Sequence, residues 1–187
     1  MERSLLSQLR EKSREAHSRL DSGLSFGDVA KSPQSYQAYL EAFQSGLEAV
    51  LSRTNWQALE ERQLPDAKRR WARYAALAQD SGKPLDVKIN GQGTVAASAG
   101  QLYVLEGSIH GGAYLLKSLR SEESFQPENT RFLEAFGEDN PAVWKSFLTW
   151  LEELELDDEQ ANEACDAAVR AFQHFEEAFS PEAEKAC

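Results

Sequence analysis

Histidine is scarce in this chain. His17, His110 and His174 are the whole complement, and none of them has a glutamate three residues earlier. The paired Glu-x-x-His units of a carboxylate-bridged di-iron bundle are therefore missing, and so is the H-E-x-x-H signature of a zinc hydrolase. No serine has a triad context, no G-x-x-x-x-G-K cradles a phosphate, and no G-x-G-x-x-G follows a strand. Cysteine is nearly absent too. Cys165 and Cys187 form no C-x-x-C pair, so free thiols in a reducing compartment are expected. Bases are outnumbered, with 20 Lys and Arg against 31 Asp and Glu, and the net charge of −11 argues against a nucleic-acid backbone as partner. No apolar run approaches the roughly 18 residues needed to span a bilayer. Met1 leads into a polar helix with no apolar leader, so the expectation is a cytoplasmic protein with no membrane partner.

What the chain does contain is helix. Its 187 residues, 41% hydrophobic and 27% charged, suit one globular domain over residues 1–187. A first helix is expected over 3–20, with Leu5, Leu6, Leu9, Ser13, Ala16 and Leu20 as its apolar stripe and His17 at the edge. Residues 21–31, with two glycines, read as a loop. Ser32 and Pro33 then start a helix to about residue 53, buried through Tyr36, Tyr39, Leu40, Phe43, Leu47 and Val50. A short helix before Pro65, another from Asp66 to Gly82, and an irregular stretch over 83–93 follow. Beyond the central helix, helices are expected over about 128–136, from Asn140 and Pro141 onward, and from Asp157 or Asp158 to Phe179. No strand of convincing length appears. The fold class is an all-α bundle of about seven or eight helices.

The central helix, residues 100–120, carries glycines where a helix rarely keeps them. Gly107, Gly111 and Gly112 together give up about 3 kcal/mol of helix propensity relative to alanine. Tyr103, Gly107, His110, Gly111 and Tyr114 fall on one side of the cylinder, a bare strip between two aromatic rings. Either a second helix packs on that strip, as small residues four apart allow, or a flat ligand lies on the exposed backbone. His17 is open in the same way, since a histidine beside an apolar stripe is either a hydrogen-bonded core residue or a ligand. Phe172 and Phe175 are either core or the floor of an apolar pocket. A haem site needs one imidazole, a flat apolar slot and cations for its propionates. His17, the strip and Arg10 are candidates for those three parts.

Three blocks then carry a resemblance: LREKSREAHSRLD around His17, LYVLEGSIHGGAYLLK in the central helix, and the run WKSFLTWLEELELDDEQANEACDAAVRAFQHFEEAF. Together, in order and spacing, they resemble the bacterial biliverdin-forming haem oxygenases over nearly the full length. The resemblance implies haem held between a proximal helix bearing His17 as iron ligand and a distal helix whose Gly107 and Gly111 lie over the porphyrin. It further implies Arg10 and Tyr103 near the propionates. Ser108 stands where animal members carry an Asp and bacterial members commonly a Ser, which points to oxygen activation through a water network held by backbone groups.

The implied activity is O2-dependent cleavage of haem to biliverdin, carbon monoxide and iron, with electrons from an external reductase or ferredoxin. It would serve iron acquisition or supply biliverdin to a photoreceptor. His110 departs from the family, whose bacterial members usually have a small or apolar residue there. It could ligate iron, hydrogen-bond to a distal ligand, or turn away toward neighbouring helices. A haem carrier or sensor ligated by both His17 and His110 is the alternative function, and a scaffold that has lost haem is the third.

Overall fold

A computed structural model describes residues 4–87, 91–123 and 125–180. The described chain is helical without β-strands, and its elements follow the caps that the sequence places. Helix α1 runs Leu5–Gly23, with the Ser4 hydroxyl accepting from the Ser7 amide. A short α2, Phe26–Val29, occupies part of the stretch expected to be loop. Helix α3 spans Pro33–Leu51, where Ser32 caps the amino end and Pro33 occupies the first turn. Helices α4, Trp56–Glu61, and α5, Ala67–Ser81, follow, and α5 stops at Gly82 in the left-handed conformation, φ 72°. The central helix α6 is one unbroken span, Val95–Ser121.

The helix expected over 128–136 shortens to α7, Arg131–Glu134, because Ala135 takes a positive φ of 51° that a helix cannot continue through. A 3-10 turn leads into α8, Asn140–Glu152. Helix α9, Asp158–Ala178, begins with a reciprocal capping box between Asp157 and Gln160.

Helix α9 is the shared wall. Both α1 and α6 pack along it, as does α3, whereas α1 and α6 make little contact with each other. The reason lies in the side chains of α9. Its buried residues begin small, Ala161, Ala164, Cys165, Ala167, Ala168 and Ala171, and end as Phe172 and Phe175. At the alanine end the α6 backbone comes so near that a Cβ at Gly100 would run into the Ala164 carbonyl. Gly46 of α3 likewise leaves room for the Phe175 ring.

On its other side α6 is fastened by a buried ion network that the charge pattern did not announce. Arg70 and Glu106 are both fully buried and form a salt bridge. The Arg70 Nε also donates to the Pro65 carbonyl at 2.8 Å, and Tyr74 donates its hydroxyl to Glu106 at 3.1 Å. Arg73 lies over the Phe132 ring, 4.5 Å from its centroid, and donates to the Leu105 carbonyl at 3.2 Å. Burial pushes the Glu106 carboxyl above its ordinary range, while both guanidiniums pull it back.

Two stability predictions follow from these contacts. Gly100→Ala overpacks the α6–α9 contact and should cost about 1–3 kcal/mol in urea unfolding. Glu106→Gln leaves two buried guanidiniums facing a neutral amide and should cost about 3–5 kcal/mol in the same measurement. Unchanged midpoints would contradict the packing described.

Candidate functional site

Between α1 and α6, over the aromatic end of α9, lies a cavity of about 630 Å³. Its size is that of a typical small-molecule or cofactor site, roughly 300–1,000 Å³. Arg10, Ser13, Arg14 and His17 reach it from α1, and Tyr39 and Phe43 from α3. Helix α6 contributes Tyr103, Gly107, Ser108, His110, Gly111 and Tyr114, and α9 adds Phe172, Phe175 and Phe179. All the residues singled out in the sequence therefore line one space. The five positions expected on one side of α6, 103, 107, 110, 111 and 114, do face the cavity.

His17 is not a core residue. Its side chain is 61% exposed, and its ring meets Phe172 edge-on at 5.4 Å between centroids. Its Nδ1 is 3.6 Å from the carboxylate of Asp21, one turn further along α1. A carboxylate on that side orients an imidazole and leaves Nε2 to a metal. Phe172 and Phe175 are both core and floor: 7% and 2% exposed, they line the cavity while packing against the bundle.

The three glycines of α6 answer to three different neighbours. A Cβ built at Gly107 meets nothing within 4 Å, so no helix packs on the strip at that point. At Gly111 it would touch the Phe26 ring at 3.5 Å, and at Gly112 it would touch Leu133 at 3.6 Å. Helix packing explains Gly100, which the sequence reading did not single out, and the open cavity explains Gly107.

The polar groups are unevenly placed. Arg10 and Arg14, one turn apart on α1, give the cavity its cations despite the net charge of −11. Arg10 sits beside Tyr103, whose phenol burial pushes upward in pKa and the guanidinium pulls back. Ser108 donates its hydroxyl to the Leu105 carbonyl at 2.6 Å and accepts from Arg73 at 2.9 Å. His110 stands at the cavity wall with its ring perpendicular to Trp144, at 5.2 Å between centroids and an interplanar angle of 89°. Tyr39 and Phe43, expected as the buried face of α3, also prove to be cavity walls. No helix among the described residues is long and apolar enough to cross a membrane.

Comparison with solved structures finds this fold in bacteria. A heme oxygenase from Neisseria meningitidis, solved with NO and CO bound, superposes with a TM-score of 0.75 at 23% identity, over 94% of this chain and 90% of that one. Heme oxygenase from Leptospira interrogans superposes with a TM-score of 0.66 at 23% identity, over 95% and 99%. No curated protein sequence matches the chain. The heme oxygenase family model matches residues 69–181, which contain the glycine strip of α6 and all of α9, whereas α1 with His17 lies outside the match. With more than half its length matched, the chain belongs to the heme oxygenase family.

Proposed function

We propose that the chain binds haem in the cavity between α1 and α6 and degrades it to biliverdin, carbon monoxide and free iron. The observation that carries this reading is a solvent-open imidazole, His17, sharing one cavity with the bare backbone of Gly107. The residues fit the group: aromatic walls suit a macrocycle, the space beside Gly107 is free, and Arg10 and Arg14 suit its carboxylates. Haem supplies the redox-active iron and is itself the molecule cleaved, with O2 and electrons from an external reductase or ferredoxin.

The protein's part is orientation. His17 would hold the iron, with Asp21 steadying the ring. Arg10 and Tyr103 would receive propionates, and Phe43, Phe172 and Phe175 would meet the apolar body of the macrocycle. Gly107 lets a flat ring approach the α6 backbone. Gly111 shares the strip and makes room for Phe26, itself a cavity wall. The Ser108 proton is committed to the helix, so its hydroxyl offers the cavity a lone pair, which suits an ordered water rather than a direct donation. Because α1 lies outside the family match yet completes the cavity, we take residues 1–187 to act as one domain. We place the protein in the cytoplasm, where reductase or ferredoxin donors operate.

One observation favours a second reading. His110 lines the same cavity as His17, so a carrier or sensor with both imidazoles on iron fits the same walls. Turnover separates the two. Under hemin and ascorbate in air, an enzyme loses its Soret band and yields biliverdin by chromatography, whereas a carrier keeps the band. Failure to bind hemin at all would remove both.

His17→Ala should abolish the axial-imidazole spectrum of the hemin complex, and added free imidazole should restore it. An unchanged spectrum in the variant would exclude His17 as ligand. Gly107→Ala should separate folding from function. With no neighbour to clash against, it should stabilise the haem-free protein by about 0.5–1 kcal/mol through helix propensity, yet weaken hemin binding by intruding into the slot. Thermal melting and hemin titration of the same variant read the two effects.

A further inference from the structure

Tyr39 is a phenol among rings that need no hydroxyl. Its ring centroid lies 6.3 Å from that of Phe26, 6.0 Å from Phe43 and 5.5 Å from Phe179, and a phenylalanine would keep each of these contacts. The residue is 6% exposed and lines the cavity, and its hydroxyl makes no hydrogen bond to a described residue. Its oxygen is not sealed in the core as Arg73 Nε is, and the cavity is the space it can meet.

Arg73 lies close by, and its charge pulls the phenol pKa down against the larger upward push of burial. That guanidinium is 4% exposed. Its terminal nitrogens donate to Leu105 and Ser108, but its Nε is buried with no partner. Ser108, gripped by Arg73, faces the same cavity as Tyr39. The donors are thus divided. The Ser108 proton is committed to the Leu105 carbonyl, the terminal nitrogens of Arg73 are engaged and its unpartnered Nε belongs to a residue that does not line the cavity, whereas Tyr39 lines it and makes no hydrogen bond to a described residue.

We propose that Tyr39, which lines the same cavity as the Ser108 hydroxyl that Arg73 holds in place, is a hydrogen-bond donor to small polar ligands on the open side of the bound haem. The ligand class is a compact acceptor, a water or a monatomic or diatomic anion, reached from the α3 wall. The phenol stays protonated at neutral pH, because burial raises its pKa, and so keeps its donor character. This inference rests on haem occupying the cavity.

The test uses the ferric hemin complex of the full chain and fluoride as probe, a small anion that accepts hydrogen bonds strongly. Tyr39→Phe preserves the ring packing and should leave hemin binding intact while raising the fluoride dissociation constant about three- to tenfold, the loss of one hydrogen bond. Tyr36→Phe, which removes an α3 phenol that lies outside the cavity and donates to the Asn129 carbonyl, should leave it unchanged. Equal fluoride affinity in Tyr39→Phe and the parent overturns the inference and leaves the haem reading standing. Equal weakening in both variants overturns it as well, since the effect would then not belong to Tyr39. A parent chain that takes up no hemin overturns both.

Discussion

The contact between α6 and α9 decides the shape of the rest. Two helices come within backbone distance only where neither carries bulk, and here Gly100 meets Ala164 with no room for a methyl group. Beyond that point α9 changes from alanines to Phe172 and Phe175, and the wall becomes the floor of a cavity. Helix α1, packed on the same α9, closes the other side. One helix with small residues at one end and aromatic residues at the other thus makes both a tight joint and a wide opening. The Arg70–Glu106 bridge holds α6 from behind, so the strip facing the cavity is fixed on both sides.

The cavity that results is chemically lopsided. Phe, Tyr and Trp rings form much of its wall, and the guanidiniums are confined to α1. In a chain of net charge −11, two arginines one turn apart on a cavity wall are a local reversal of sign. That reversal suits an amphiphile with an apolar body and an anionic edge, which is the character of haem. The family match runs through α6 and α9, and two bacterial heme oxygenases share the fold.

Much of this was legible in the sequence because it depends on local rules. Ser32 before Pro33, Gly82 after α5 and Asp157 before Gln160 mark helix ends through cap chemistry that needs no tertiary context. The strip of α6 could be read because helical spacing places residues 103, 107, 110, 111 and 114 on one side whatever surrounds them. What could not be read depends on neighbours distant in sequence. Arg70, Arg73 and Glu106 look like solvated charges, and only folding brings them together in a dry layer. Gly100 and Gly107 are alike in one dimension, yet one meets a backbone and the other meets open space. Tyr39 and Phe43 follow the apolar period of α3, which cannot distinguish a core face from a cavity wall. The shortening of the helix expected over 128–136 came from the positive φ of Ala135, which no residue type there signals.

The central claim is the proposed haem site, in which His17 would hold the iron and the ring would lie against the α6 backbone at Gly107. The most direct measurement is a crystal structure of the ferric hemin complex. The account predicts an iron–nitrogen bond to Nε2 of His17, porphyrin in van der Waals contact with Gly107, and a propionate on Arg10. Iron bonded to His174, or a porphyrin lying outside the space between α1 and α6, would contradict it.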